Sequence, residues 1–248
     1  MPSILNVATY RFVAIDDPGA LKAAWLPFAR TLGIKGSVLV APEGINVFLA
    51  GAEAAVRAFV GMVEHDPRFA ALDLKESWSE HVPFRRMKIK LKREIVTFRQ
   101  PDIDPVRAPA PFMTPRELKR RLDAGEDLVL LDTRNDVEVA RGTFTRALFW
   151  GNRNFTEFGA IARDRAGDLA GKTVVSFCTG GIRCEKAAPL LRALGVAEVY
   201  QLEGGILRYF EQIGRSHFDG DCFVFDERAA LDPALRAHSD AAPITTPT

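Results

Sequence analysis

The sequence predicts an α/β protein in two parts, a mixed α+β domain followed by a domain built on a parallel sheet. Three observations predict it. Apolar runs and amphipathic stretches succeed one another in the order β-α-β-β-α-β up to about residue 80. A proline-rich break from Gln100 to Pro115 then interrupts the pattern. Beyond it, short β-branched strands alternate with helical stretches from 114 to about 214, as strands covered on both faces do.

A length of 248 residues suits one large or two small domains with a real core. Lys and Arg number 33 against 32 Asp and Glu, so no global charge draws the chain to nucleic acid or membrane. Such a partner must be met by a local patch. No apolar run approaches the roughly 20 residues of a membrane span, and Met1 to Asp16 lacks the marks of a secretion signal. No membrane partner is expected, and the residues do not indicate an oligomeric state. Three cysteines are too few for a disulfide framework, so a reducing, cytoplasmic setting is expected.

The first domain is expected over residues 1–99. Asn6 to Ile15 alternates as a strand, and Asp17-Pro18 opens a helix with Leu21, Trp25, Phe28, Ala29 and Leu32 at helical spacing, closed by Gly33. Ser37–Ala41 and Ile45–Ala50 flank Pro42-Glu43-Gly44 as a hairpin. Ala52–Glu64 reads as a helix buried through Val56, Phe59, Val60 and Val63, and Leu72–Trp78 as a further strand. That order is the ferredoxin-like, acylphosphatase-type split arrangement.

Pro83 to Phe98 is basic. Period-two alternation puts Met87, Ile89 and Leu91 on one face and Lys88, Lys90 and Lys92 on the other, with Arg85, Arg86 and Arg93 at the ends. Such a ribbon suits a phosphate backbone. An edge strand whose lysines discourage aggregation fits the pattern equally well.

Residues 100–113 read as an extended linker, with Pro101, Pro105, Pro109 and Pro111 and no periodicity. The second domain is expected over 114–216 and a C-terminal tail over 217–248. Thr114-Pro115-Arg116-Glu117 is a helix start, with a capping threonine, proline at the first helical position and glutamate at the third. Leu128–Leu131 is a buried strand leading into Asp132-Thr133-Arg134-Asn135-Asp136, followed by a helix over Val137–Arg141 and an irregular segment through Asn154. Asp132 and Arg134 lie at a strand's carboxyl end, where open α/β sheets hold ligands. An ion pair of Arg134 with Glu138 that fixes the segment is the favoured reading for that arginine. Val199–Leu202 is a strand, and Glu203-Gly204-Gly205 opens the final helix, its glycines serving close packing. In the tail, Cys222–Arg228 is a short ordered patch and Ala237–Thr248 is expected to be disordered. Cys222 has one histidine near it, His217, and no second cysteine close by, so no metal site is expected there.

The chemistry is carried by Thr173 to Cys184. An apolar strand ends at Cys178; Thr179, Gly180, Gly181, Ile182 and Arg183 follow, and a helix begins at Cys184 and Glu185. Strand, glycine loop and helix start point backbone N–H groups into one small cup. A thiol at the mouth of that cup, beside Arg183, is stabilised as the anion, which makes a nucleophile. Cys184 either resolves an oxidised Cys178 as a disulfide or packs as a small apolar group.

At these residues the chain resembles the rhodanese family, as it does at Asp132-Thr133-Arg134 and at Val199–Phe210. The loop Cys178–Arg183 spans six residues, one fewer than in related phosphatases, and closes on a sulfur or oxygen atom where a phosphate needs a wider ring. Over about residues 5–228 the chain resembles the tRNA uridine hydroxylase family, through Lys35–Asn46, Pro83–Val96, Leu131–Asp136, Cys178–Ala187 and Val199–Leu207. The resemblance implies oxygen-dependent conversion of the wobble uridine of tRNA to 5-hydroxyuridine, with Cys178 required. It also implies an acylphosphatase-like N-terminal domain that helps bind tRNA. Two departures stand out. The cysteine-rich C-terminal extension of longer relatives is replaced by a polar tail, so roles tied to it are expected to be absent. Val47-Phe48-Leu49 is bulkier than the family's turn, so a differently shaped hairpin tip is expected.

No dinucleotide motif or metal cluster stands in the sequence, so no bound cofactor is expected and molecular oxygen is the expected co-substrate. A thiolate or persulfide at Cys178 that adds to carbon 6 of uridine generates an enolate able to react with oxygen at carbon 5. A sulfurtransferase acting through a Cys178 persulfide, and a non-catalytic RNA-binding module, are the alternatives.

Overall fold

The structure, a computed structural model, describes residues 3–237. It comprises two compact units, one holding residues 3–96 with Asp226–Arg228, the other Thr97–Phe225 with residues 229–237.

In the first unit, β1 (Ile4–Phe12), α1 (Pro18–Thr31), β2 (Lys35–Ala41), β3 (Gly44–Ala52), α2 (Glu53–Glu64), β4 (Lys75–Ser79) and β5 (Met87–Leu91) follow in order. The sheet runs β4-β1-β3-β2-β5. Its pairs are antiparallel except β2 with β5. Asp17 caps α1 by accepting the Ala20 N–H at 3.1 Å, ahead of Pro18. Leu5, Val7, Val38, Val40, Ile45, Val47 and Leu49 face a core closed by Trp25 and Ala29 of α1 and the predicted α2 stripe. Each fully buried side chain of this kind contributes about 1.5–3 kcal/mol.

Val47-Phe48-Leu49 does not shape the hairpin tip. Those residues lie inside β3, and strand alternation sends Val47 and Leu49 into the core. The last strand of the expected order starts at Lys75, later than the expected Leu72, because the Leu72 N–H is taken by the Glu64 carboxylate at 2.8 Å.

In the second unit, β6 (Phe112–Met113), α3 (Pro115–Asp123), β7 (Leu128–Asp132), α4 (Asp136–Val139), β8 (Gly142–Phe144), β9 (Leu148–Phe149), α5 (Phe155–Arg165), β10 (Thr173–Phe177), α6 (Cys184–Ala193), β11 (Glu198–Leu202) and α7 (Gly205–Ile213) lead to three short strands. These are β12 (Phe218–Gly220), β13 (Cys222–Phe223) and β14 (Ala230–Leu231). The main sheet, β6-β11-β10-β7-β9, is parallel throughout. Strand β10 lies at its centre, so the loop after it leaves the middle of the sheet's carboxyl edge.

The proline-rich segment is not extended. Asp104 Oδ1 accepts the N–H groups of Val106 at 2.9 Å and Arg107 at 3.2 Å, a turn its short carboxylate favours over an open chain. Phe112–Met113 then joins the sheet beside β11. The segment expected to be irregular through Asn154 includes β8 and β9, and the helix α5 that follows buries Phe155, Phe158 and Ala162. Disorder expected from Ala237 onward falls, beyond Ala237 itself, outside the described residues.

Candidate active site

Strand β10 ends in Phe177, and the chain turns at once through Cys178–Arg183 into α6. The turn is fastened from below and from the side. Thr133, just past β7, bonds the Phe177 carbonyl through its N–H and its hydroxyl, both at 3.0 Å. The start of α7 donates Ile206 N–H to the Cys178 carbonyl and Leu207 N–H to that of Thr179, each at 3.0 Å. Gly205 makes this approach possible. With φ +64°, any Cβ there would stand 2.4 Å from the Cys178 carbonyl oxygen and 2.8 Å from the Gly181 nitrogen.

Inside the turn the Cys178 sulfur accepts the Gly181 N–H at 3.1 Å. Burial alone would raise this thiol. A hydrogen bond from Cys184, the Arg183 charge, and the N–H groups of Arg183 and Gly181 outweigh it and hold Cys178 below the ordinary thiol value. Cys184 moves the opposite way. Burial, and the charge it faces on Cys178, push it well up, so it keeps its proton and acts as a donor.

Cys178 is not at the mouth of the cup. It is 0% exposed, because the six-residue ring folds inward over its own first side chain. The residues that form the rim are Thr179, Gly180 and Ile182, all partly exposed. Arg183 is also turned inward. Its guanidinium meets Glu138 through two hydrogen bonds, 2.5 Å from Nη1 to Oε2 and 2.7 Å from Nη2 to Oε1.

The partner of Arg134 is therefore not Glu138. Arg134 Nε and Nη2 grip the carboxylate of Asp132, the latter at 2.7 Å, and Nη2 also donates to the Gly142 carbonyl at 2.6 Å. A residue two positions before Arg134 reaches its side chain because the chain turns sharply after β7. Thr143 adds a bond to Asp132 at 2.7 Å, and both charged side chains are fully buried. This pair fastens β8 to the turn after β7.

Glu138, which the sequence offered only as a partner for Arg134, is bonded instead to Arg183 and Thr179 of the ring. Its signal was present, since Asn135-Asp136-Val137-Glu138 begins a helix with an acid at the third position. Cys222 also comes in from the tail. Burial raises its thiol to about 12, against a lowering by the Arg134 charge and the Thr179 hydroxyl. Among the described residues no three His, Cys, Asp or Glu side chains gather as metal ligands, and no helix is long and apolar enough to cross a membrane.

In the first unit, the basic residues line an edge strand. Strand β5 stands at the end of its sheet beside β2, and Ile89 is its buried anchor. Arg85, Arg86, Lys90, Lys92 and Arg93 are exposed and Lys88 is half-buried. Leu91, expected on the buried face, is 48% exposed because it ends the edge strand. Arg85 meets an acid, Glu227, at 3.1 Å.

Residues 4–95 match the UPF0176 acylphosphatase-like domain and residues 114–212 the rhodanese-like domain. A tRNA uridine(34) hydroxylase of Variovorax paradoxus is 54% identical over 96% of this chain and 93% of its own. One from Ralstonia nicotianae is 53% identical over 94% of this chain and 84% of its own. Among solved structures, a rhodanese-like domain from Anabaena is similar over 56% of this chain and 92% of its own, at 20% identity and a TM-score of 0.39. By its two domains and by relatives matched over nearly their whole length, the chain belongs to the tRNA uridine(34) hydroxylase family.

Proposed function

We propose that the protein hydroxylates the wobble uridine of tRNA at carbon 5, with molecular oxygen as co-substrate and Cys178 as the reactive sulfur. One observation carries this reading: a thiol held below its ordinary pKa by amides, a neighbouring thiol and an arginine, in a chain of this family. A thiolate that adds to carbon 6 moves the 5,6 double-bond electrons onto carbon 5 and its adjoining carbonyl. The enolate then reacts with oxygen at carbon 5. Loss of the carbon 5 proton and of the sulfur from carbon 6 restores the ring. The O–O bond of the adduct breaks, one oxygen staying on carbon 5 and the other leaving as water; this takes up two electrons and two protons, which two external thiols supply as they join in a disulfide.

The enclosure of Cys178 adds a condition to this scheme. Either the ring opens to admit the base, or the reactive atom is the outer sulfur of a persulfide, which stands one S–S bond of about 2.05 Å further out. The ring amides from Thr179 to Arg183 keep the anion in place, and the Arg183 charge accompanies it. Arg85, Arg86, Lys88, Lys90, Lys92 and Arg93 contact the tRNA backbone in this reading, through charge and without reading bases. The cytoplasm, where a thiol stays reduced, suits it.

Nucleoside mass spectrometry of tRNA tests the proposal. Wild-type protein restores 5-hydroxyuridine derivatives to a deletion strain, and Cys178→Ser does not. Full restoration by Cys178→Ser would refute the role of the sulfur, and sulfane-sulfur turnover in a cyanolysis assay without tRNA hydroxylation would favour the sulfurtransferase.

A further inference from the structure

Glu138 takes no part in the chemistry just described, yet its carboxylate is fully enclosed beneath the cup. Each of its oxygens accepts two hydrogen bonds. Oε1 receives Arg183 Nη2 at 2.7 Å and the Thr179 hydroxyl at 3.3 Å, while Oε2 receives Arg183 Nη1 at 2.5 Å and the Asn135 N–H at 3.1 Å. Those four bonds use the acceptor capacity of a carboxylate. Thr179 is the first residue after Cys178 and Arg183 the last of the ring, so one side chain from α4 grips both ends of the loop. The grip is itself anchored. The Asp136 N–H donates to the Asn152 carbonyl at 3.1 Å, and Asn152 Nδ2 donates to the Arg134 carbonyl at 2.9 Å.

We infer that Glu138 is the positioning residue of the cup: by tying Thr179 to Arg183 it keeps the ring closed over the Cys178 sulfur and sets how readily a reagent reaches it. A role as general base does not fit, because no lone pair is left to receive a proton. Burial pushes its carboxyl up, but the Arg183 charge and hydrogen bonds bring it below the ordinary value, so it remains ionised. A plain ion pair supporting the fold does not fit either, because it would leave the Thr179 hydroxyl out of the arrangement. The inference deepens the proposed use of Cys178, and its test reads the thiol without reference to tRNA.

That test is the rate of Cys178 alkylation by iodoacetamide in the full chain, followed by peptide mass spectrometry, with Cys222 in the same molecule as the internal control. At a pH where Cys178 is ionised, Glu138→Gln speeds its alkylation by about tenfold, the weight of one charge-assisted hydrogen bond. Thr179→Val leaves the buried ion pair intact and speeds alkylation by roughly threefold, less than Glu138→Gln because the hydrogen bond it removes is the longest of the four, at 3.3 Å. Thr179→Ser, which keeps the hydroxyl but not the shape, restores the wild-type rate. Cys222 stays unreactive throughout. Unchanged Cys178 rates in Glu138→Gln and Thr179→Val would overturn the inference. So would alkylation of Cys222 in step with Cys178, the sign of general loosening. Should Glu138→Gln not fold, the contrast between Thr179→Val and Thr179→Ser decides alone. Hydroxylation retained by Cys178→Ser would end the proposed role of the sulfur in the reaction and leave these rates as they are.

Discussion

Cys178 and Cys222 are both completely buried, in the same unit, and both interact with the cup. Their thiols nonetheless move in opposite directions. The sulfur of Cys222 donates toward the Phe223 carbonyl at 3.7 Å, and beside the Arg134 charge and the Thr179 hydroxyl it faces the carboxylates of Glu138 and Asp132. The sulfur of Cys178 has the Gly181 N–H at 3.1 Å, the Arg183 N–H and charge, and the Cys184 thiol. Burial is common to both and raises both. Donors decide the outcome, and the ring after β10 supplies them.

The contrast is broken most severely by removing each sulfur. Cys178→Ser is expected to lower tRNA hydroxylation by on the order of 10³-fold or more, as loss of a nucleophile does. Cys222→Ala is expected to leave it within about twofold, because an inert buried thiol contributes packing alone. Nucleoside mass spectrometry of tRNA reads both. Stability should separate the two as well, by the sign of its pH dependence. A lowered thiol adds stability that is present above the unfolded value near 9 and is lost as pH falls through the folded value. A raised thiol adds stability that is complete below 9 and is lost as pH climbs toward about 12. In denaturant titrations, wild type should therefore lose on the order of 1.4 kcal/mol per pH unit between those limits relative to Cys222→Ala. An identical slope in the two proteins would mean that Cys222 is not raised.

Next in size is the seat of the ring. Gly205→Ala forces a side chain against the Cys178 carbonyl and asks an alanine to hold φ +64°, which costs about 1–3 kcal/mol before any repacking. It should lower the melting temperature and speed Cys178 alkylation together, whereas Gly167→Ala, in open space, should do neither. The smallest effect belongs to the basic edge. Replacing Lys88, Lys90 and Lys92 together by Ala should weaken tRNA binding and reduce the slope of log affinity against log salt by up to about 2–3, at roughly 0.7–0.9 for each phosphate that is no longer neutralised. A salt slope equal to that of wild type would return those lysines to a solvated edge.

The same contrast marks what the sequence makes legible. The ring of Cys178 could be read because its parts are adjacent: strand end, small residues, arginine and helix start succeed one another within twelve residues. The order of the first unit was legible for a similar reason, since Val56, Phe59, Val60 and Val63 repeat at helical spacing. Pairings made across the chain were not legible. Glu138 lies 45 residues before Arg183, and helical spacing alone pointed it to Arg134. The enclosure of Cys178 depends on α7 seating Gly205 on the loop, which no local pattern encodes. Cys222 reaches Thr179 only because the tail folds back through β12 and β13. Helix α5 did carry a signal that the reading missed, Phe155, Phe158 and Ala162 at helical spacing.

The central claim, that the anion of Cys178 does the work, is tested most directly by comparing two pH profiles of the wild-type protein. One is the rate of Cys178 alkylation; the other is the rate of tRNA hydroxylation at saturating tRNA. The account predicts that both rise along the same curve, with an inflection well below the ordinary thiol value near 9. An alkylation curve centred at 9 or above, or hydroxylation that is independent of Cys178 ionisation, would contradict it.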